Sequence, residues 1–312
     1  MSAQASFLSI AHQKKLRCEK FLDEMEQVVP WKRLVKAVEP CYPEHDMGRR
    51  RKELRMMLKI LCLQQWYNLS DPAAEDAIYD RCSFQKFLGL DLLSDTVPDE
   101  TTICKFRHLL EEHGLQEEFF AVVRDVLLQR GLFVKEGTIV DATIVPAPSS
   151  TKNADGKRDP EMSSTKKGQK WFFGMKAHIG SDVRGFVHTI LGTTAKVHDS
   201  VVFSQLLHGE ERAIFGDKAY AKDEWKRTAR AAGVYWGITD KVRRGQSLSS
   251  AQRKRNRQTS SVRSFVEHPF GILKCQWKYA KVRYRGLKKN IAHLHLLFAL
   301  ANLYRARKLL LA

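Results

Sequence analysis

The chain has 312 residues, of which 43% are hydrophobic and 28% charged, a composition that excludes a disordered or fibrous protein. Residues 1–130 hold 19 basic and 21 acidic residues, whereas residues 131–312 hold 34 basic and 14 acidic residues, so all of the positive excess behind the formal net charge of +18 lies in the second part. A basic domain of this kind favours a polyanionic partner, and we expect nucleic acid rather than an acidic protein.

Residues 1–130 predict an all-helical domain. Apolar side chains recur at helical spacing through residues 50–69, Asp99 is a typical N-terminal cap, and Gly114 is a typical helix terminator. Short helices with tight connections suit a helix-turn-helix module, whose second helix would enter a DNA groove. The near-neutral charge of this part keeps open another interpretation, a helical bundle that contacts only protein. We assign residues 1–130 to a DNA-binding or dimerisation domain.

Residues 131–312 predict a domain built on a sheet. The first strand-like runs should pair antiparallel, and they occupy residues 137–146, 170–179 and 185–194. A turn signal at residues 180–185 separates the last two of these runs. Two later runs, at 213–217 and 234–240, flank a helix predicted at 221–232, so they should add parallel strands to the same sheet.

Helices are expected to cover this sheet. One is predicted at 199–209, and a long helical tail is expected from about residue 261. We favour Asp199 as the N-terminal cap of the first of these helices over a position near a functional site or facing DNA. Antiparallel strands extended by parallel crossovers give a mixed sheet. The prediction is therefore an α/β fold with an N-terminal helical domain and a C-terminal helix.

Two polar stretches predict loops. Residues 147–169 are rich in Ser, Lys and Gly, which is typical of a surface loop. Residues 241–258 carry seven basic residues and no acid, and we interpret them as a DNA-contacting loop rather than as solvated chain alone. The candidate DNA-contacting residues of that run are Arg243, Arg244, Arg253, Lys254 and Arg255.

Three acidic residues, Asp141, Asp217 and Glu267, lie in settings that suggest a shared metal site. Asp141 interrupts the apolar run GTIVDATIV, and Asp217 follows the apolar run AIFG. An ionised carboxylate in an apolar strand is costly unless something pairs with it. A hard divalent cation such as Mg²⁺ would pair with these oxygens, and two such ions can stabilise both the attacking and the leaving oxygen of a phosphodiester displacement.

Several other classes of protein are excluded by missing motifs. The six cysteines are scattered singly, without a Cys-x-x-Cys pair, so a zinc cluster or a dithiol motif is not expected. There is no GxxxxGK[ST] loop, so ATP-driven chemistry has no support. With neither a signal-peptide pattern nor an apolar stretch of membrane-spanning length, we expect a cytoplasmic protein without a membrane partner.

A series of motifs resembles those of one known family. In chain order they are VPDETT…RHLLEEHGL, VDATIV, GMKAHI, KVHDS, FGDKAY and RSFVEHPFGILK. They look like the motifs of DDE transposases, in particular of the bacterial insertion-sequence group called "IS five" within the IS four-like superfamily. The resemblance implies an RNase H-like catalytic domain over residues 131–312. It also implies that Asp141, Asp217 and Glu267 are the catalytic, metal-binding residues and hold two Mg²⁺ ions, with Mn²⁺ able to substitute.

The last motif resembles the Tyr-Arg-Glu-Lys signature of this family. Arg263 and Lys274 match its arginine and lysine around Glu267, whereas Ser260 stands where the tyrosine would be, which leaves any step that uses the tyrosine unsupported. At 100° per residue, positions 263, 267 and 274 fall within about 40° of one another on a helix, as one DNA-facing surface would require. Pro269 predicts a kink in that helix. Without the other two acids, an Arg263–Glu267 surface ion pair would be the simpler interpretation.

The resemblance also implies an activity and its partners. A transposase of this group would bind the terminal inverted repeats of an insertion sequence, cleave at the ends with metal-activated water, and join the 3′-hydroxyl ends to target DNA. Lys218, Arg263 and Lys274 would contact DNA together with the basic run. The partners would be double-stranded DNA of the nucleoid and further copies of this chain, as a homodimer or higher oligomer. Two alternatives remain, a transposase-derived DNA-binding protein and an RNase H-like nuclease without strand transfer.

Overall fold

The N-terminal part is helical, as predicted. The computed structural model describes residues 15–42, 51–152, 156–242 and 245–312. Local signals set several helix ends: the Asp99 carboxylate accepts the Thr102 backbone N–H, and Gly114 takes a left-handed conformation between two helices. The helices are α1 (Arg17–Val28), α2 (Trp31–Val38), α3 (Leu54–Tyr67), α4 (Asp71–Asp80), α5 (Cys82–Leu88), α6 (Glu100–Glu112) and α7 (Leu115–Gln129).

The second part is built on a mixed sheet. Its strands are β1 (Gly137–Pro146), β2 (Ser163–Lys167), β3 (Lys170–Asp182), β4 (Val187–Thr194), β5 (Ala213–Gly216) and β6 (Tyr235–Ile238). β3 pairs antiparallel with β1, β2 and β4, while β5 pairs parallel with both β1 and β6. The strands follow the order β2-β3-β1-β5-β6, and β4 also pairs with β3. The mixed sheet that the sequence predicted is therefore confirmed.

Both stretches predicted as loops contain regular secondary structure. Residues 147–169, predicted as loop, contain β2, an edge strand whose side chains are mostly exposed, so it lacks the apolar alternation by which strands are recognised. Residues 241–258, also predicted as loop, run into helix α9 (Ser250–Arg263). That helix begins at a capping box, in which the Ser249 hydroxyl accepts the Gln252 backbone N–H. The predicted helix at 199–209 is instead a 3₁₀ helix, Asp199–Leu206.

The helical tail is interrupted where Pro269 predicted a kink. After α9 the chain forms a 3₁₀ turn (Ser264–Val266), the short helix α10 (Glu267–Gly271) and a π-helical turn (Ile272–Gln276). Positions 263, 267 and 274 therefore do not share one straight α-helical face, because each belongs to a different piece. The preceding helix α8 (Asp223–Ala231) lies between β5 and β6 in the chain, as expected.

The C-terminal helix α11 (Leu287–Leu310) holds the two parts of the chain together. Its Asn302 side chain binds both backbone atoms of Val187 on β4, donating from Nδ2 at 2.7 Å and accepting at Oδ1 at 2.9 Å. Six residues after the start of this helix, His293 donates from Nε2 to Gln65 Oε1 of α3 at 2.6 Å. A single buried apolar cluster includes residues of α3, α7, β3 and α11. Within the described ranges, no helix combines the length and the apolar character needed to cross a bilayer.

Candidate active site

Asp141 lies in the middle of β1, which pairs antiparallel with β3 on one side and parallel with β5 on the other. It faces Ile179 of β3 in register, and its neighbour Val140 pairs with Gly216, the last residue of β5. Its Oδ1 accepts the backbone N–H of Ala142 at 2.9 Å. The pKa of Asp141 is raised to about 6, mainly by burial; the nearby acids Asp217 and Asp199 act in the same direction, whereas Arg263 and the Ala142 N–H act against it.

Asp217 follows β5 directly and so lies beside Asp141 at the same end of the parallel pair. The carboxyl ends of parallel strands meet at one edge of a sheet, which is where such sites form. Asp217 Oδ1 accepts the backbone N–H of Ala219 at 2.7 Å and caps the 3₁₀ turn Lys218–Tyr220. The two aspartates that the sequence predicted to act together are therefore neighbours in the fold.

Asp199 is the third acid that the structure brings to this place. Its interpretation as a helix cap was wrong, because His198 Nδ1 accepts the Ser200 backbone N–H instead. The Asp199 carboxylate accepts a 2.9 Å hydrogen bond from Lys176 Nζ and lies 3.8 Å from His178 Nδ1. Burial lowers the pKa of His178 to about 4, so this ring is neutral near pH 7. Lys176 and His178 share one face of β3 by strand alternation.

The hydroxyl of Tyr220 lies buried among these acids. Tyr220 is 1% exposed, and within the described part of the chain its hydroxyl has no hydrogen-bond partner. Burial raises its pKa above the ordinary range, and Asp199, Asp141 and Asp217 act in the same direction. A buried hydroxyl without a partner is costly unless a bound group completes its hydrogen bonds.

Two basic side chains reach β1 beside Asp141. Arg263 Nη2 lies 3.9 Å from Asp141 Oδ2. Lys274 Nζ donates to Thr143 Oγ1 and, at 3.2 Å, to the backbone oxygen of Ile144. Burial lowers the pKa of Lys274. Although α9 and the π turn are separate pieces, they place both predicted basic residues against the strand that carries the first acid.

Glu267 is exposed at the start of α10. Among the residues that the structure describes, its carboxylate makes no hydrogen bond or ion pair, so the Arg263–Glu267 pair considered from the sequence is absent there. The same ranges contain no cluster of three or more His, Cys, Asp or Glu side chains arranged to hold a metal ion. The donor chemistry still fits a hard divalent cation, because carboxylate oxygens and an unpartnered hydroxyl meet at one place, and a cation would offset the repulsion among the acids.

The other basic residues predicted to contact DNA differ in their surroundings. Lys218, Arg253 and Lys254 are exposed, and the Nε of Arg253 donates to the Leu248 backbone oxygen at 3.1 Å. Arg255 is partly buried and donates from Nε to Asp240 Oδ2 at 3.0 Å, so part of its charge is neutralised within the fold. Arg243 and Arg244 lie outside the described residues.

Sequence reasoning missed the contributions of Lys176 and Tyr220 to this site. Both lie in motifs that carry the family resemblance, GMKAHI and FGDKAY, but neither residue was predicted to belong to the site. Lys176 carries the usable signal, because a lysine in a strand that is otherwise apolar needs a partner. No local pattern identifies that partner as Asp199, which is 23 residues further along the chain.

Comparisons with known proteins agree with the geometry. A family model described as "Transposase DDE domain" matches residues 132–303, and one described as "Transposase domain (DUF772)" matches residues 11–109. Among solved structures, the crystal structure of the Mos1 strand transfer complex is similar at 12% identity with a TM-score of 0.20. That similarity covers 78% of this chain and 82% of the other. A TM-score of 0.20 is too low to relate the two folds.

Proposed function

Since the chain belongs to the family of transposases with a DDE domain, we propose that it cleaves DNA at the ends of an insertion sequence and joins the freed 3′-hydroxyl to target DNA. The observation that carries this proposal is the position of Asp141 and Asp217, which adjoin at the carboxyl end of the parallel pair β1 and β5 inside the basic part of the chain. The finer assignment is to the "IS five" group of bacterial insertion sequences, acting on nucleoid DNA in the cytoplasm.

In this proposal Asp141, Asp217 and Glu267 hold the divalent ions, Mg²⁺ or Mn²⁺. When bound, two such ions would activate the attacking oxygen and stabilise the leaving oxygen of the phosphodiester. Asp141 and Asp217 are supported by their adjacency and by the raised pKa of Asp141. Glu267 is supported by its accessible position one turn beyond Arg263.

The basic residues around the acids would bind and orient the DNA. Arg263 favours the ionised form of the Asp141 carboxylate through its nearby positive charge, and its guanidinium would also contact the scissile phosphate. Lys274 fixes β1 by its two hydrogen bonds and adds positive charge beside the site. The exposed Lys218, Arg253 and Lys254 would contact backbone phosphates of the terminal repeats. We assign the same role to Arg243, Arg244 and those guanidinium N–H groups of Arg255 that do not donate to Asp240.

The helical part would contribute the assembly on DNA. Residues 1–130 are proposed to bind DNA or to dimerise, since a transposase must hold two DNA ends together. We propose a homodimer or a higher oligomer on the terminal inverted repeats and target DNA. The near-neutral charge of this part favours dimerisation over groove binding as its main role.

The test uses purified protein with a labelled duplex that carries the DNA end flanking this gene, mixed with target plasmid. We expect cleaved and joined products in Mg²⁺, none in Ca²⁺, and none with Asp217→Ala. Asp125→Asn, which changes an exposed acid on α7, is the matched control and should behave like the wild type. Tight binding without cleavage in any metal would favour the DNA-binding alternative, and cleavage without joining would favour the nuclease.

A further inference from the structure

A β-hairpin projects beyond the end of the sheet where Asp141 and Asp217 lie. β1 pairs with β3 only as far as Pro146, opposite Gly174, and beyond this point β3 pairs with β2 alone. β1 and β5 run in parallel toward this same end. We call residues 163–173 the basic hairpin.

The basic hairpin carries uncompensated positive charge. Lys166, Lys167 and Lys170 are exposed, and none of them makes an ion pair within the described ranges. Lys167 lies directly opposite Lys170 in the strand register, and like charges in that position destabilise a strand pair. The sequence has no acidic residue between Met162 and Asp182. An anion bound at the hairpin would remove this repulsion.

The positive charge continues from the hairpin to the acidic site. After burial, repulsion from Lys167 is the next influence that lowers the pKa of Lys274. Lys274 in turn binds β1 through Thr143 and Ile144, the residues that follow Asp141 closely in the chain. A phosphate backbone that lies along the hairpin would therefore lead toward the carboxylates.

Trp171 presents an exposed indole ring beside these lysines. It is 70% exposed and lies opposite Lys166 in the register, whereas Trp225, for example, stacks on Phe203 with ring centroids 4.4 Å apart. Exposed tryptophans are uncommon because the ring loses the benefit of burial. Indole rings stack on nucleic-acid bases, and this contact tolerates any base sequence.

The base of the hairpin is fixed to the rest of the domain. Met162 is buried, and the Glu161 carboxylate accepts the backbone N–H of Leu287 at 2.6 Å at the start of α11. Ser163 Oγ accepts the backbone N–H of Lys196 at 2.8 Å. The hairpin is therefore anchored at its base to the domain that carries the acidic site.

We infer that the basic hairpin is a DNA-end contact, in which Lys167 and Lys170 bind backbone phosphates and Trp171 stacks on an unpaired base next to the cleavage site. This inference rests on the proposed function. The lysines alone would also suit an acidic protein surface, but a flat exposed ring among them favours a base. A second copy of this chain is the competing occupant, and it is distinguished below.

The test compares binding of two DNA probes in Ca²⁺ by fluorescence anisotropy. One probe is a blunt duplex of arbitrary sequence, and the other is the same duplex with a short unpaired tail that contains 2-aminopurine. We expect Trp171→Ala to weaken binding of the tailed probe about tenfold and to abolish the quenching of 2-aminopurine, with little effect on the blunt probe. Trp171→Phe should retain both properties. Tyr79→Ala, at an aromatic residue of α4 that is 54% exposed, is the matched control.

The lysines have a separate expected signature. The double variant Lys167→Gln with Lys170→Gln should weaken binding of both probes and reduce the slope of log affinity against log salt by about two. Equal affinities and equal quenching for Trp171→Ala and wild type would overturn the inference. It would also be overturned if Trp171→Ala changed the oligomeric mass in sedimentation while DNA binding stayed the same, since that result assigns the hairpin to a second copy. If the wild type bound neither probe, the proposed function itself would fail.

Discussion

The guanidinium of Arg263 lies 3.9 Å from the carboxylate of Asp141, across the gap between helix α9 and strand β1. The positive charge opposes the burial that raises the pKa of Asp141 to about 6. The Nε of Arg263 is buried and has no hydrogen-bond partner within the described ranges, so the side chain is held there without being fully satisfied. This is the arrangement expected of an arginine that also contacts an incoming phosphate.

Arg263→Gln should therefore raise the pKa of Asp141 further. Without the guanidinium, only the Ala142 N–H still opposes burial and the nearby acids, and a larger fraction of Asp141 is protonated near pH 7. We expect the acidic limb of the cleavage rate against pH to move upward by about one unit. Arg263→Lys should restore much of the wild-type profile, and an unmoved acidic limb in Arg263→Gln would contradict the role of the guanidinium.

Asp141→Asn should stabilise the fold while abolishing cleavage. The folded pKa of about 6 lies above the value of about 4 for an unfolded aspartate, so ionised Asp141 destabilises the folded state. This penalty is absent below about pH 4, grows between about pH 4 and pH 6, and is complete above that range. We expect Asp141→Asn to increase the free energy of unfolding by about 2 kcal/mol at about pH 8, and hardly at all at about pH 4.

Urea unfolding at the two pH values measures this difference, with Asp125→Asn as the control at an exposed acid. Mg²⁺ should raise the melting temperature of the wild type but not of Asp141→Asn, because only the wild type keeps the full set of ligands. Equal stabilities of Asp141→Asn and wild type at about pH 8 would mean that the carboxylate is not destabilising in the folded protein.

Glu267 and Asp199 compete for the role of the third acid, and their substitutions should separate them. Glu267 is exposed and makes no ion pair within the described residues, so Glu267→Gln should leave stability within about 0.5 kcal/mol. Asp199 accepts a hydrogen bond from the partly buried Lys176, so Asp199→Asn should cost about 1–3 kcal/mol.

We expect Glu267→Gln to lose cleavage while it remains folded and bound to DNA, as a metal ligand would. Calorimetric titration with Mn²⁺ provides a readout that does not depend on activity. If Glu267→Gln cleaved at the wild-type rate and Asp199→Asn lost Mn²⁺ binding, Asp199 rather than Glu267 would be the third metal-binding acid.

Tyr220→Phe tests whether the buried hydroxyl serves a bound group. The hydroxyl has no partner in the described structure, so its removal should leave the free energy of unfolding unchanged or increase it by up to about 1 kcal/mol in EDTA. In contrast, we expect the cleavage rate to fall about tenfold, because one hydrogen bond to the substrate or to its bound water is lost. A destabilised variant that cleaves at the wild-type rate would show a structural role only.

The sequence predicts this fold where the local pattern and the tertiary environment agree. β1, β3 and β4 alternate or run apolar between turn residues, and the Asp99 cap lies where it was predicted. β2 was not predicted because an exposed edge strand needs no apolar face, and its polar, lysine-containing sequence resembles that of a loop. The Ser249–Gln252 capping box could have predicted the start of α9, but the run of basic residues was interpreted as a loop.

The site was predictable only in part, for a related reason. Asp141 and Asp217 are unusual in their own strands, so each is visible locally, and the parallel pairing of β1 with β5 brings them together. The pairing of Asp199 with Lys176 depends on the packing of a 3₁₀ helix on β3, which no local pattern encodes. The contact of Lys274 with β1 likewise depends on the π turn that follows Pro269, because the proline predicts a kink but not the direction in which the next residues point.

The attachment of α11 to both halves of the molecule has a consequence during synthesis. Asn302 covers the backbone of Val187, and His293 reaches Gln65, so residues near the end of the chain complete the packing of segments translated long before. A nascent chain that stops before residue 287 leaves β4 and α7 without their covering helix. Premature termination or a frameshift late in the gene therefore removes the helix that packs against the sheet and the N-terminal helices. If the chain cleaves DNA as proposed, we expect this activity to begin only after α11 has been translated.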